Sequence, residues 1–212
     1  MIISLVSAKG GTGESTLTVN IAALAAAEGL KVGLIDLDPQ ATTCGWHAMR
    51  GGNDIELAVA HPPTLAMAVQ RMRTDGCQLL VIDTPPHHST SAAAAVRVAS
   101  LTLVPARPSA FDLAAILETI ELVKHTGGRA GAVLNAIPAS SSVADQAQGV
   151  IESAGLKVLA RIGQRIAWQH AAAKGQGVYE TEPGGASASE LVRLWNAIHE
   201  HMNACTHEDM TP

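Results

Sequence analysis

Aromatic side chains are scarce in this sequence of 212 residues. Phe, Trp and Tyr together account for only 2% of the chain, although hydrophobic residues account for 47%. The core must therefore be packed from alanine and aliphatic side chains, which favours close packing of helices on a sheet. The length suits one large α/β domain and is short for two independent cores.

Cysteine, basic charge and long apolar runs are scarce as well. Cys44, Cys77 and Cys205 are widely separated and lack the spacing of a metal site, which indicates reduced thiols. A formal net charge of -5 excludes a global attraction to nucleic acid or to an anionic membrane, so such binding needs a local patch. No apolar run reaches the roughly 18 residues that span a bilayer, and no secretory signal is recognisable. We therefore predict a cytoplasmic protein.

Apolar runs of strand length alternate with segments of helical periodicity along most of the chain. This order is typical of an α/β protein with a mainly parallel, doubly wound sheet and helices on both faces. We assign residues 1–203 to a single domain and residues 204–212 to a polar C-terminal tail. The predicted strands cover 2–7, 32–38, 79–83, 101–104, 130–135 and 158–162, and the predicted helices cover 15–27, 90–99, 112–125, 143–154 and 187–202.

Acidic and amide side chains lie at the ends of three of these predicted strands. Asp36 and Asp38 end one strand, Asp83 ends a second, and Asn135 ends a third. In doubly wound sheets, ligands bind beyond the carboxyl ends of the strands. We therefore expect these polar groups to converge at one edge of the sheet.

A glycine-rich segment joins the first predicted strand to the first predicted helix. Glycine lets consecutive backbone N–H groups turn towards phosphate oxygens, and the helix N-terminus adds its positive dipole end. The hydroxyl of Ser15 is placed to bind Mg²⁺ between the β- and γ-phosphates. The alternative is an ordinary glycine-rich turn, which the flanking strand and helix disfavour. The predicted cofactor-binding residues here are Lys9, Gly10, Gly11, Thr12, Gly13, Glu14, Ser15 and Thr16.

The segment from Lys9 to Thr16 resembles the phosphate loop of the ParA/MinD family of deviant Walker P-loop ATPases, Lys-Gly-Gly-x-Gly-Lys-Ser/Thr. Further motifs similar to that family lie at 36–40, 81–86 and 104–112, so the resemblance covers nearly the whole chain. It implies a P-loop NTPase fold that binds ATP or ADP with Mg²⁺. It also implies an ATP-dependent homodimer, in which Lys9 reaches the partner's ATP. Because no helix-turn-helix precedes the loop, the chain is most similar to the short partition ATPases.

Glu14 departs from the family pattern, because the family has a lysine at this position that contacts the β- and γ-phosphates. At about 4 Å and an effective dielectric constant of 20, one pair of unit charges interacts with roughly 4 kcal/mol. Replacing the attraction of lysine for phosphate by the repulsion of glutamate should therefore weaken nucleotide binding strongly. We expect weak nucleotide binding through backbone amides and magnesium, with little or no hydrolysis. The intact flanking motifs favour an engineered substitution over a natural pseudo-ATPase, and the sequence leaves both open.

The resemblance also implies roles for the polar residues at the strand ends. Asp38 resembles the catalytic residue that positions the attacking water, and Lys9 is the second expected catalytic residue. Asp83 follows a strand similar to Walker B and is expected to hold Mg²⁺ through water, with Asp36 supporting the same ion. For both aspartates, a simple turn residue is the alternative. Asn135 resembles the asparagine that hydrogen-bonds adenine, and a plain turn residue is an equal alternative.

Three other features have less specific interpretations. Residues 105–112 resemble the proline-containing connection at the family's dimer face, and a simple connector is the alternative. His87 and His88 are predicted to lie in a polar loop, because no third metal ligand has a suitable spacing. Trp46 and His47 are predicted to pack at the surface and not against a cofactor.

The function implied by the resemblance is that of an ATP-dependent partition ATPase. Such a dimer positions plasmid, chromosome or protein cargo through non-specific DNA binding, and a stimulating partition or cargo adaptor protein triggers its hydrolysis. The C-terminus lacks a basic amphipathic helix, so we expect no membrane binding. The alternative function is a non-hydrolysing module that tethers a partner protein. The candidate DNA contacts, each of which is otherwise a solvated surface charge, are Arg161, Arg165, Lys174 and Arg193.

Overall fold

The computed structural model describes residues 1–86, 89–139 and 142–208. The strands are β1 (Ile2–Leu5), β2 (Val32–Asp36), β3 (Ile55–Val59), β4 (Leu79–Asp83), β5 (Leu101–Ala106), β6 (Ala130–Ile137) and β7 (Val158–Gly163). They form one seven-stranded sheet in the order β3-β2-β4-β1-β5-β6-β7. Every neighbouring pair of strands in it is parallel.

Helices connect the consecutive strands and flank the sheet. They are α1 (Glu14–Ala27), α2 (Thr42–Arg50), α3 (Leu65–Thr74), α4 (Ser89–Val98), α5 (Ala110–Thr126), α6 (Val143–Ser153), α7 (Ala167–Ala172), α8 (Val178–Thr181) and α9 (Ala186–Glu208). A short 3-10 helix at Pro62–Thr64 precedes α3.

The hydrophobic core has two layers, one on each face of the sheet. Helices α1, α2, α7, α8 and α9 cover one face, where Leu24 and Trp195 are buried. Helices α3 to α6 cover the other face, where Ile120 and Ile151 are buried. The strands supply apolar side chains to both layers because successive residues point to opposite faces. The predicted fold class, a parallel doubly wound sheet with helices on both faces, is thereby confirmed.

The segment between β2 and β4 contains elements that the sequence does not predict. Strand β3 lies at the edge of the sheet, where its last residue, Val59, is 65% exposed, and Glu56 interrupts its apolar run. Helix α2 includes two threonines and Gly45, which are weak helix formers. Tertiary packing therefore outweighs local propensity in this segment.

Trp46 does not pack at the surface, and the prediction for this residue is wrong. The indole is 3% exposed, and its Nε1 donates a hydrogen bond to the backbone oxygen of Gln176 at 3.2 Å. The reason is that α2 packs one face against the segment that joins α7 to α8. His47 is half-buried, with Nε2 2.8 Å from the backbone oxygen of Ile55.

The C-terminal helix continues to Glu208, beyond the predicted domain boundary at residue 203. The division into a domain and a polar tail remains a prediction. The predicted polar loop at His87 and His88 lies outside the described residues. Among the helices that the structure describes, none combines the length and the apolar character required to cross a bilayer.

The sheet topology brings the sequence motifs together. Strand β4 lies between β1 and β2, and its last residue, Asp83, pairs in register with Leu5 on one side and Asp36 on the other. The loop that follows β1 and the turn that follows β2 are therefore neighbours at the carboxyl edge of the sheet. This edge is where the functional residues are expected.

Candidate functional site

A cleft of about 480 Å³ opens at this carboxyl edge. It lies between the loop that precedes α1, the turn that joins β2 to α2, and the end of β4. We call residues 9–16 the phosphate loop, and Asp36, Asp38 and Asp83 the carboxylate edge. The cleft is lined by Gly11, Gly13, Glu14, Ser15, Thr16, Asp38, Pro39, Gln40, Thr42, Thr84, Pro85 and Pro86.

The phosphate loop has a backbone shape that requires glycine. Gly11 and Gly13 have φ angles of 77° and 107°, in the left-handed region that other residues rarely adopt. A Cβ atom on Gly13 would lie 2.1 Å from Nδ2 of Asn135, so a larger residue would also clash. Gly13 immediately precedes α1, and its conformation turns the chain from the loop into the helix.

Asn135 holds the phosphate loop from the end of β6. Its Nδ2 donates a hydrogen bond to the backbone oxygen of Thr12 at 2.7 Å, and its Oδ1 accepts one from the backbone N–H of Ala136 at 2.8 Å. The side chain is thus engaged at both ends by the chain itself. The predicted contact with adenine remains a prediction, whereas the contact with the loop is one that the sequence analysis missed.

Glu14 is built into the wall of the cleft. It is the first residue of α1, its exposure is only 6%, and it accepts a hydrogen bond from the hydroxyl of Thr12. Burial is the main factor that raises the pKa of Glu14, and the negative charge of Asp38 raises it further. A carboxyl group therefore occupies the part of the cleft in which the resemblance predicts a phosphate-binding lysine.

Asp83 is completely buried at the end of β4. Its Oδ2 accepts a hydrogen bond from the hydroxyl of Thr43 at 2.7 Å, while its Oδ1 has no hydrogen-bond partner among the described residues. Burial raises the pKa of Asp83 to about 7, against the opposing effects of Thr43 and of the nearby Ser15 hydroxyl. Such a carboxylate gains by acquiring a cation or water at its free oxygen.

Asp36 and Asp38 organise the turn between β2 and α2. The two oxygens of Asp36 accept hydrogen bonds from the backbone N–H groups of Asp38 at 2.9 Å and Cys44 at 3.0 Å. Asp38 in turn accepts one from the backbone N–H of Gln40 at 2.9 Å. The arrangement matches the turn-capping alternative for Asp36, and its role towards magnesium stays a prediction. Burial, together with Asp36, raises the pKa of the Cys44 thiol to about 12, so this cysteine is not a nucleophile at neutral pH.

The residues predicted to hold magnesium fit a hard divalent cation in part. Ser15 and Asp83 are close together, and the free Oδ1 of Asp83 is a ligand of the type that magnesium prefers. The described residues contain no group of three or more His, Cys, Asp or Glu side chains arranged to hold a metal. Phosphate oxygens and water would therefore have to complete the coordination, as is usual for magnesium bound with a nucleotide.

Lys9 lies at the start of the phosphate loop and forms an ion pair within its own chain. Its Nζ is 3.1 Å from Oδ1 of Asp112, a 6% exposed carboxylate in the first turn of α5. Ser109 caps the same helix by accepting a hydrogen bond from the backbone N–H of Asp112. The first turn of α5 thus restrains Lys9, a role of Asp112 that the sequence analysis missed.

Residues 3–178 match the model of a family described as the CobQ/CobB/MinD/ParA nucleotide binding domain. The maintenance of carboxysome distribution protein A of Gloeobacter kilaueensis is 30% identical over 206 residues, 95% of this chain and 94% of that protein. The chromosome-partitioning ATPase Soj of Thermus thermophilus is 30% identical over 155 residues, 58% of this chain and 62% of that protein.

A solved structure has a similar fold. The septum site-determining protein MinD of Pyrococcus horikoshii, in complex with Mg-ADP, matches with a TM-score of 0.74 and 20% identity, covering 91% of this chain and 93% of that chain. At this identity the likeness concerns the fold alone, and it agrees with the parallel sheet flanked by helices.

Proposed function

Because the chain belongs to the family of CobQ/CobB/MinD/ParA nucleotide-binding domains, we propose that it is a partition ATPase whose hydrolysis is impaired by Glu14. In this proposal the cleft binds ATP or ADP with Mg²⁺, and ATP binding drives a face-to-face homodimer. The dimer binds DNA non-specifically in the nucleoid and positions plasmid, chromosome or protein cargo. A stimulating adaptor protein ends the cycle, and no membrane takes part.

The observation that best supports this function is the shape of the phosphate loop. Gly11 and Gly13 give it two left-handed residues directly before the N-terminus of α1, which is an arrangement suited to bind phosphate. Ser15 belongs to the same loop, and Asp83 lies close to Ser15 with one carboxylate oxygen free. The relatives' names support the biological role, since one maintains carboxysome distribution and another partitions chromosomes.

Each predicted site residue has a defined task in this proposal. The backbone of the phosphate loop binds the phosphates, and bound magnesium supplies neutralising charge that Ser15 and Asp83 hold in place. Asp38, at the mouth of the cleft, orients the water that attacks the γ-phosphate. Lys9 acts across the dimer, for which its ion pair with Asp112 has to open.

The proposed DNA contacts differ in how free their charges are. Arg161 forms an ion pair with Asp145 at 2.7 Å, and Arg165 forms one with Glu190 at 2.5 Å. Lys174 and Arg193, the other two candidates, are exposed. Binding to phosphate is favoured by cations that have no acidic partner to give up, so Lys174 and Arg193 are the stronger candidates.

The test of this function is ATP turnover by the Glu14→Lys variant. We expect the present chain to hydrolyse ATP at or near background, and Glu14→Lys to regain magnesium-dependent turnover. Glu14→Gln removes the negative charge without adding a positive one and should recover binding without efficient turnover. Asp38→Ala, introduced into Glu14→Lys, should abolish the regained activity while ATP still binds. A Glu14→Lys protein that binds no ATP would refute the proposal.

A non-hydrolysing module that tethers a partner is the second candidate function. The observation in its favour is that Glu14 is 6% exposed and accepts the Thr12 hydroxyl, so the carboxyl group is accommodated within the loop. This candidate predicts that Glu14→Lys binds ATP but shows no turnover, with or without DNA and adaptor protein.

A further inference from the structure

Thr43 links the turn after β2 to the buried carboxylate of β4. It lies in the first turn of α2, is completely buried, and is 40 residues away from Asp83 in sequence. Its hydroxyl donates to Oδ2 of Asp83 at 2.7 Å, a hydrogen bond of ordinary length between two side chains with 0% exposure. A hydrogen bond in such buried, low-dielectric surroundings is electrostatically stronger than one in water.

This hydrogen bond makes the two oxygens of Asp83 unequal. Oδ2 is held by Thr43, while Oδ1 has no partner among the described residues, although it is fully buried. The rotation of the carboxylate is thus restricted, and Oδ1 is the oxygen that is left for a further ligand.

We propose that Thr43 is a positioning residue that orients Asp83 for a divalent cation bound with the nucleotide. The inference rests on the proposed function, because it concerns the cation that accompanies the nucleotide. Thr43 does not contact the cation or the phosphates. It acts through Asp83, by fixing which oxygen is free and where that oxygen lies.

The helix that carries Thr43 is itself firmly anchored. The backbone N–H of Cys44 donates a hydrogen bond to the side chain of Asp36. Asp36 is the last residue of β2 and pairs in register with Asp83 of β4. At the other end of α2, Arg50 donates to both oxygens of Glu180, at 3.0 and 2.6 Å. Tertiary contacts therefore anchor α2 at both ends, and this fixes the position of the Thr43 hydroxyl. A fixed hydroxyl is the condition for positioning another group accurately.

The same helix connects Asp83 to the proposed catalytic residue. Asp38 lies in the turn that leads into α2, and Asp36 accepts hydrogen bonds from the backbone N–H of Asp38 in that turn and from that of Cys44 in the first turn of α2. The first turn of α2 links Asp83, through Thr43, to the turn that contains Asp38. Thr43 thus places the cation ligand and the catalytic carboxylate in one hydrogen-bonded unit.

The test compares Thr43→Val, which keeps the shape of the side chain but loses the hydroxyl, with Thr43→Ser, which keeps the hydroxyl. The binding of a fluorescent ADP analogue is titrated over a range of Mg²⁺ concentrations and also in EDTA. We expect Thr43→Val to raise the half-saturating Mg²⁺ concentration by about tenfold or more, the usual cost of losing a partner of a metal ligand. The affinity of Thr43→Val for the ADP analogue in EDTA should change by less than about twofold. Thr43→Ser should have the same half-saturating Mg²⁺ concentration as the unmodified chain.

Thr18→Val is the matched control. Thr18 is a completely buried threonine in α1 whose hydroxyl has no partner among the described residues. Its replacement makes the same chemical change as Thr43→Val without removing a hydrogen bond, so the Mg²⁺ requirement should stay at the value of the unmodified chain. Thermal unfolding of all three variants verifies that each is folded.

Two results would overturn the role of Thr43. One is a Thr43→Val protein with an unchanged Mg²⁺ requirement, and the other is an equal loss of affinity with Mg²⁺ and in EDTA, which indicates general damage. A different result, in which Mg²⁺ does not affect ADP binding to the unmodified chain, contradicts the proposed function. Mn²⁺ binding without nucleotide, measured by electron paramagnetic resonance, then decides separately whether Thr43→Val weakens the cation site.

Discussion

The phosphate loop and the carboxylate edge meet in one cleft, but different forces determine their shapes. The loop has its shape from backbone sterics, since Gly11 and Gly13 adopt left-handed conformations and Asn135 leaves no room for a side chain at Gly13. The shape of the carboxylate edge is determined by side-chain hydrogen bonds. Asp36 accepts them from the backbone N–H groups of Asp38 and Cys44, and Asp83 accepts one from the hydroxyl of Thr43.

This difference explains how a reversed charge can occur in an otherwise well-formed loop. Glu14 replaces an expected cation, yet the backbone around it keeps the shape suited to phosphate, because sterics do not depend on the sign of a charge. At the carboxylate edge, the loss of one donor or one charge would rearrange the hydrogen bonds themselves. In the phosphate loop, the charge of a side chain can thus change without a change in backbone shape. At the carboxylate edge, a change in charge also changes the arrangement of the side chains.

The largest effect is expected for Asp83→Asn, which removes the buried charge of the carboxylate edge. The pKa of Asp83 is raised from 3.8 to about 7, so the folded state favours the protonated form. Stability from this group is fully present below the unfolded pKa and is lost as the pH rises through the folded pKa. At pH 8, without nucleotide, Asp83→Asn should therefore raise the free energy of unfolding by up to roughly 4 kcal/mol. Urea denaturation between pH 4 and pH 8 measures the gain, which should disappear towards pH 4.

Asp54→Asn provides the opposite control for that measurement. The hydrogen bond from Arg50 lowers the pKa of Asp54, whose side chain is 46% exposed. Its contribution is present above the unfolded pKa and is lost as the pH falls through the folded pKa, so Asp54→Asn should be slightly destabilising at pH 8. If the Asp83→Asn protein is less stable than the unmodified chain at pH 8, then the buried carboxylate does not destabilise the folded state as predicted.

Gly13→Ala tests the steric half of the comparison, with a smaller effect on stability. The new Cβ would lie 2.1 Å from Nδ2 of Asn135, at a φ of 107°, so the loop must move. We expect a loss of roughly 3 kcal/mol of unfolding free energy, from the left-handed conformation and the overlap together. Phosphate and nucleotide binding should fall below detection, as measured by calorimetry in the Glu14→Lys background.

Gly29→Ala separates the two causes of that loss. Gly29 has a φ of 87°, but nothing lies within 4 Å of the position of its Cβ. The substitution should cost only the conformational part, about 1 kcal/mol, and leave nucleotide binding unchanged. Equal losses for the two substitutions would mean that Asn135 does not restrict the phosphate loop.

The sequence suffices for the fold wherever a strand is buried on both faces. Leu79 to Ile82 form a continuous apolar run, the other central strands are also mainly apolar, and segments of helical length separate them, so alternation alone predicts the parallel sheet. Strand β3 and helix α2 escape prediction because the strand lies at the sheet edge and the helix is held by Trp46 and Arg50 from distant segments.

For the site, the sequence identifies groups that a motif places next to one another but not their partners from elsewhere in the chain. Ser15 and the glycines follow from the loop motif, and Asp83 follows from its strand. The hydrogen bond between Asn135 and Thr12 joins residues 123 apart, and that between Thr43 and Asp83 joins residues 40 apart. Neither partner belongs to the motif it supports, and only the folded chain brings them together.

Arg107 has a position from which it can supply part of the missing positive charge. Its guanidinium nitrogen Nη2 lies 3.9 Å from the position that a Cβ on Gly11 would take, so the side chain reaches over the phosphate loop. Lys9 is paired with Asp112, whereas no acidic residue in the described ranges forms an ion pair with Arg107. In a loop with Glu14, Arg107 is thus the cation most available to a phosphate.

The smallest expected effect follows from Arg107→Gln, which should weaken nucleotide binding by about tenfold, the value of one hydrogen bond to a charged group. In the Glu14→Lys background the loss should shrink to about twofold or threefold, because the new lysine supplies charge at the same phosphates. Arg97→Gln makes the same charge change at the exposed end of α4 and should leave binding unaltered. Fluorescence titration with an ADP analogue measures all of these affinities. If Arg107→Gln costs the same in both backgrounds, or no more than Arg97→Gln, then backbone shape and magnesium alone bind the phosphates, and the loop needs no compensating cation.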